Sequence, residues 1–250
     1  VAFKDGKPIG FLAELYPEQD HFYLPFVRVQ ELYGAWQRYL DGIHLAVLGH
    51  RVHPYFGVYA PTRTSHLELF GTWLSQYAGP RHRALDVGTG CGVLAFMLAR
   101  AGFERVEATD ISPNAVESVT RDCRRLSPSP PIETRCCDLM GEDDTPTDVV
   151  VFNPPWIPGE AERPLEQALM FDHGLFERFF DQCMTRLTPD GRIVIIFSTI
   201  MELVLPDSVH PIRAELERDR FSLVQKLQRR VKSVRNAEKD QRRTREKVEV

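Results

Sequence analysis

The sequence predicts an α/β domain built on a mostly parallel sheet. Three observations carry that prediction. From Arg83 onward, short apolar runs alternate with longer amphipathic ones. The first apolar run, Ala84–Val87, leads into a glycine-rich turn, Gly88-Thr89-Gly90-Cys91-Gly92. The next two runs end at acids, Asp110 and Asp138. Strand–helix alternation of this kind implies parallel strands joined by right-handed crossovers.

Each element follows from its residues. ALDVG (84–88) is a short strand, and GVLAFMLAR (92–100) an apolar helix. Residues 106–109 are a second strand. Ser112-Pro113 opens the next helix, because Ser is a good N-cap and Pro is tolerated at the first helical position. Residues 132–136 form a third strand. Residues 148–152 form a fourth, nearly all apolar, as a strand covered on both faces should be. A helix is expected over 171–187, closed by a turn at Thr188-Pro189-Asp190-Gly191, then a fifth strand, RIVIIFS, at 192–198. FSLVQKL (221–227) alternates like a half-buried strand, and KVEV (247–250) is predicted to pair with it as an antiparallel hairpin at the sheet edge. The charged segment between them is expected to be an exposed loop. Residues 1–57 are expected to form an accessory, substrate-facing segment, and 58–250 the main domain. The accessory part should hold a helix over 30–40 and a hairpin over 44–59 around Gly49-His50. An amphipathic helix over 64–77 should pack on the sheet. The aromatics Phe22, Tyr23, Phe26, Tyr33 and Trp36 are assigned to core rather than to a recognition surface.

Composition narrows the function classes. With 250 residues, 43% of them apolar, a sizeable core is available. No run approaches the ~20 apolar residues of a membrane span. The opening VAFKDGKPIGF carries charges and glycines, so no signal peptide is expected there, and with Val as its first residue a processed or internal start is expected. The five cysteines are an odd number without CxxC spacing, which points to a reducing cytoplasm rather than a disulfide framework or zinc. The eight histidines, among them His50, His53 and His173, are scattered, and no metal site is expected. Net charge is −4, yet residues 213–250 hold 13 Lys and Arg against 7 Asp and Glu. The remainder is acidic, so the chain is no general polyanion binder; the basic tail is assigned first to a solvated face and second to nucleic acid.

The glycine loop and the strand-end acids mark one edge of the sheet. Glycines permit a tight turn and close approach of a ligand to backbone, and the helix behind them presents free N–H groups. Asp110 lies about 20 residues beyond the loop, where a carboxylate accepts from ribose hydroxyls. In open α/β sheets ligands bind at this edge.

The fourth strand ends in Asn153-Pro154-Pro155-Trp156. The target such a motif suits is an –NH2 conjugated to a carbonyl or an aromatic ring, whose delocalised lone pair is a poor nucleophile. The Asn153 side-chain oxygen and the Pro154 carbonyl can hold its two hydrogens and favour a pyramidal nitrogen. Proline stiffens that carbonyl by fixing φ and removing a competing N–H. It also pushes the residue before it into an extended conformation. Trp156 offers a flat face on which a planar amide or base can stack.

Asp86-x-Gly88-x-Gly90-x-Gly92, Asp110, Asp138 and Asn153-Pro154-Pro155-Trp156 together resemble the class I methyltransferases that use S-adenosyl-L-methionine (SAM). The nearest branch is that of HemK-like protein-glutamine methyltransferases and related nucleobase N-methyltransferases. The resemblance covers roughly residues 58–200. It implies a Rossmann-like, seven-stranded, mostly parallel sheet with an antiparallel C-terminal hairpin. VYAPTRTS (58–65) is similar to the segment preceding the first sheet-domain helix in those enzymes, with Ser65 in place of a cofactor-contacting Thr and Thr64 where Asp is usual. The resemblance implies that Asp86, Gly88 and Ser65 meet the methionine end of SAM, and that Thr89, Gly90, Gly92 and Ile111 also belong to the cofactor site. By the same token Asp110 holds the ribose, Asp138 and Leu139 flank the adenine, and Asn153 faces the methyl. Trp156 stands where the glutamine-methylating relatives have Tyr; Trp is familiar from adenine-N6 enzymes. The implied activity is N-methylation with Asn153, Pro154 and Trp156 as the reaction residues. A protein glutamine is the first acceptor, an exocyclic base amine in RNA or DNA the second, and a small metabolite the third. A non-catalytic SAM-binding scaffold and an NAD-dependent dehydrogenase are the readings from other classes.

Overall fold

Five parallel strands form the centre of the protein, in the spatial order 132–136, 105–110, 83–87, 147–152 and 187–195. The structure is a computed structural model that describes residues 9–18, 21–61, 63–159, 169–172, 174–230 and 247–250. The strands are β3 (Arg83–Val87), β4 (Arg105–Asp110), β5 (Ile132–Cys136), β6 (Thr147–Phe152) and β9 (Leu187–Ile195). Crossover helices α4 (Val93–Arg100), α5 (Pro113–Leu126) and α6 (Leu175–Arg186) connect them.

Side-chain alternation divides the core into two layers. Ala84, Val106, Ala108, Val149, Val151 and Val194 pack with α3 (Ser65–Gln76), α4 and α5. Leu85, Val87, Val150 and Phe152 face the other way, onto Phe176, Phe179, Phe180 and Cys183 of α6. All six residues of β6 are buried: Val149 to Phe152 are apolar, and Asp148 accepts from the His82 and Arg83 N–H groups at 2.8 and 3.0 Å.

The second sheet is a continuation rather than a separate body. After Ile196, whose N–H still donates to the Phe152 carbonyl at 2.9 Å, the chain resumes as β10 (Phe197–Ser198). Strand β12 (Lys247–Glu249) pairs antiparallel with β10 and with β11 (Gln228–Arg230). The central sheet has five parallel strands, and the antiparallel hairpin expected at its edge adds β12 and β11.

Several boundaries differ from expectation. The hairpin's first strand is 228–230, not 221–227: Leu223 and Val224 are 61% and 69% exposed, while Phe221 packs on Phe180. FSLVQKL alternates, but the register with β12 begins only where Leu227 exchanges both backbone hydrogen bonds with Val250. Helix α6 begins at Leu175, because Met170–Phe171 (β8) pairs in parallel with Ile157–Pro158 (β7). Thr188–Gly191 is not a free turn; β9 already starts at Leu187 opposite Thr147, and the extra residues are taken up in a register shift before Val149 meets Arg192. Residues 160–168 and 231–246, including most of the charged segment, lie outside the described residues, as do His173 and the first eight residues.

The N-terminal part holds α1 (Gly10–Leu15), α2 (Phe26–Asp41) and the hairpin β1 (Ile43–Leu45) with β2 (His50–Val52). Phe11, Leu32, Ala35, Tyr55 and Phe56 form its own small core. Leu45, Leu48 and Val52 belong to the main core. Polar contacts to α5 add to this: Asp122 accepts from His53 N at 2.8 Å, Ser118 Oγ from Tyr55 N at 2.7 Å, and Glu14 pairs with Arg121 at 2.5 Å. The expectation that the flanking aromatics are core is corrected in part. Tyr33 and Trp36 pack against this small core, but Tyr23 is fully exposed and Phe26 is 58% exposed. The first residues of α2 project past the end of the small core.

Candidate active site

The carboxyl ends of β3, β4, β5 and β6 open on a cleft of about 780 Å³, within the range of ~300–1,000 Å³ usual for small-molecule sites. Ser65, Gly88, Thr89, Gly90, Asp110, Ile111, Asp138, Leu139, Asn153, Pro154 and Trp156 all line it. So does the segment before α3, through Gly57, Val58, Tyr59, Pro61 and Arg63. Eleven of the thirteen residues expected at the site from sequence therefore meet in one cleft; Asp86 and Gly92 lie behind its wall.

The two that stand back hold the loop. Gly92 caps α4 at φ 82°, and a Cβ there would lie 2.9 Å from Val119 Cγ2, so the turn tolerates no side chain. Asp86 is fully buried, and its Oδ2 accepts from Thr89 Oγ1 at 2.7 Å and from Ala95 N at 3.0 Å. Burial pushes its carboxyl up to about 7 against those two donors, and the nearby Asp110 adds to the rise. Its Oδ1 has no partner among the described residues.

Asp110 closes the other side of the loop. Its Oδ2 accepts from Gly90 N at 2.9 Å and its Oδ1 from Ser112 N at 2.8 Å. Ser112 thus receives its anchor through its own backbone and makes no side-chain cap bond at α5. Burial raises the Asp110 carboxyl, opposed by the Ser112 and Gly90 N–H groups. A carboxylate oxygen accepts more than one hydrogen bond, so each keeps capacity for a ligand hydroxyl. Ile111 beside it is 63% exposed on the cleft rim, and Leu139 is buried at φ 49°. Asp138 is ion-paired with Arg178 Nε at 3.5 Å, and Arg178 also pairs with Asp172 at 3.2 Å.

Asn153 and Trp156 are held differently. The Trp156 indole N–H donates to the Ile196 carbonyl at 3.3 Å, so the ring is tied to the end of β9. Asn153 Oδ1 is shielded from solvent and has no hydrogen-bond partner among the described residues. Buried acceptors are nearly always paired, and this one lies in a residue that lines the cleft.

Among the cleft residues not singled out from sequence are His66 and Arg178. His66 was findable: His66, Phe70 and Leu74 repeat at helical spacing on the buried stripe of α3, and a histidine is the one polar member. Arg178 carries no sequence signal, because its partners Asp138 and Asp172 come from distant segments.

Residues 67–225 match the family model described as the methyltransferase small domain. A tRNA1(Val) (adenine(37)-N6)-methyltransferase from Aeromonas salmonicida is 30% identical over 142 residues, spanning 53% of this chain and 58% of the relative. A release factor glutamine methyltransferase from Koribacter versatilis is 40% identical over 86 residues, 33% of this chain and 29% of the relative. The chain spans about half the length of the curated adenine-N6 relatives it matches. Among solved structures, the hMettl16 catalytic domain in complex with MAT2A 3'UTR hairpin 1 superposes with a TM-score of 0.54 over 98% of this chain and 91% of that one. The identity there is 14%, so that likeness speaks to the fold.

Proposed function

The chain belongs to the methyltransferase small domain family, and from that premise we propose that it transfers the methyl group of S-adenosyl-L-methionine to the exocyclic amine of a nucleobase in RNA. The observation that carries the proposal is Asn153: its Oδ1 is buried, unpaired among the described residues, and set in the cleft wall beside Trp156. No helix among the described residues is long and apolar enough to cross a membrane.

The residues present fit the cofactor. Gly88 and Gly90, at φ 63° and 54°, expose bare backbone along the cleft. Asp110 keeps acceptor capacity for ribose hydroxyls, and Ile111 and Leu139 supply apolar flanks for a purine. Asp86, behind the wall, shapes the loop through Thr89 and Ala95. The bound group supplies an activated methyl on a sulfonium, so alignment suffices and no strong general base is needed. Asn153 Oδ1 and the Pro154 carbonyl accept the two hydrogens of the target amine. That pairing draws the nitrogen toward a pyramidal shape with its lone pair free. Trp156, fixed by its bond to Ile196, offers the stacking face.

The adenine-N6 relatives and Trp156 favour a base over the glutamine amide placed first on sequence grounds. The release factor relative keeps the glutamine reading as the second one. Residues 1–57 are proposed as the acceptor-facing segment, with 58–250 as the methyltransferase domain, working in a reducing cytoplasm. The exposed Tyr23 and Phe26 suit such a role. The test is transfer of labelled methyl from SAM into fractionated cell extract. Label in RNA, recovered as a methylated nucleoside, supports the proposal. Label in protein recovered as methylglutamine replaces it with the second reading, and label confined to small molecules overturns both.

A further inference from the structure

His66 is 4% exposed, lies on the first turn of α3, and lines the cleft. Its imidazole stands at 88° to the Trp156 indole, with ring centroids 6.0 Å apart. Its ring nitrogens bond to none of the described residues and are reachable from the cleft, while burial of the ring lowers its pKa to about 4. A Phe or Leu would fill this position on the apolar stripe equally well, so the ring nitrogens are available to a ligand in the cleft. Burial keeps the ring neutral at physiological pH, so it offers one donor and one acceptor and places no charge beside a sulfonium. Asn153 already presents an unpaired acceptor in the same wall.

We propose that His66 is an acceptor-contacting residue, whose ring N–H donates to an unprotonated ring nitrogen of the base lying against Trp156. The inference rests on the nucleobase reading above. It adds a second polar contact to the base: Asn153 and Pro154 hold the reacting amine, and His66 reads the ring beside it. A planar base offers both features on one edge. His66 therefore sets which base enters, while the methyl-transfer step itself does not pass through it.

The experiment compares His66→Phe and His66→Gln with the native protein, using labelled SAM and RNA from cells that lack this protein. His66→Phe keeps a ring and removes both nitrogens; His66→Gln restores a donor. His66→Phe should raise KM for RNA by about tenfold, the scale of one lost hydrogen bond. SAM affinity by calorimetry should stay within about twofold, since one lost acceptor contact does not touch the cofactor. His66→Gln should recover part of the loss, which a purely packing role would not allow. An unchanged KM in both variants, with RNA still labelled, overturns the role of His66 and leaves the nucleobase reading standing. A KM that stays as high in His66→Gln as in His66→Phe, or a matching loss of SAM affinity, also overturns it. If His66→Phe fails to fold, native KM in a folded His66→Ala variant overturns it by the same measure. If native protein leaves RNA unlabelled and labels protein, the nucleobase reading fails and takes this inference with it.

Discussion

Strand β4 carries two acids that the fold treats in opposite ways. Glu107, in the middle of the strand, is 3% exposed and is met by three arginines: Arg83 at 2.7 Å, the almost fully buried Arg186 at 3.4 Å, and Arg135. Asp143 joins the same cluster, 3.0 Å from Arg83 and 2.9 Å from Arg135. Asp110, at the strand's end, meets no cation among the described residues; two backbone N–H groups hold it, and the residue lines the cleft. Asn153 at the end of β6 goes further, with an Oδ1 unpaired among the described residues. The difference lies in the partners: charged side chains of β3, β5 and α6 gather on Glu107 inside the sheet, whereas Asp110 and Asn153 at the strand ends face the cleft.

The comparison can be broken or sharpened by substitution. The largest effect is expected from Asn153→Ala, which should drop methyl transfer to background while SAM affinity and thermal midpoint hold; a matching loss of SAM binding would move Asn153 into the cofactor site. Glu107→Leu should cost about 3–5 kcal/mol in urea unfolding, because it strands buried Arg186. A loss under about 1 kcal/mol would mean that the arginines find other partners. Asp110→Ala should weaken SAM binding by about 1–3 kcal/mol in calorimetry, and unchanged affinity would place the ribose elsewhere.

Asp86 gives a slope rather than a step. Its folded pKa of about 7 lies above the ordinary 3.8, so the native state holds a proton that the unfolded chain has released. Stability therefore falls as pH rises from about 4 to about 7 and levels off beyond it. Asp86→Asn should flatten that stretch of the profile; an unaltered slope would assign it to other groups. The smallest effect is expected from Arg178→Ala on the cleft rim. Its pairs with Asp138 and Asp172 are about half exposed, and unfolding should change by less than about 1 kcal/mol.

Much of the cleft was legible in the chain because strand ends and glycine turns are local signals. The run into Asp110 and the Asn153-Pro154-Pro155-Trp156 motif each sit at a strand's end, and parallel strands bring their carboxyl ends together. Asp86 was harder. On sequence it belongs to the motif, but alternation along β3 and the bonds from Thr89 and Ala95 turn it into the wall. The hairpin strand was misplaced because period-two alternation marks a half-buried strand, while register depends on a partner that arrives about 20 residues later.

By itself the sequence determined the α/β alternation, the glycine loop, and the chemistry available at each strand end, since backbone preference and side-chain type act over a few residues. Only the tertiary structure decided which polar groups are satisfied. Arg186 closes on Glu107 across 79 positions, while His66 meets Trp156 edge to face and hydrogen-bonds through its ring to none of the described residues. Burial and pairing are set by what packs alongside from elsewhere in the chain, and that contest, not residue type, separates the acid that stabilises the sheet from the groups left open to a ligand.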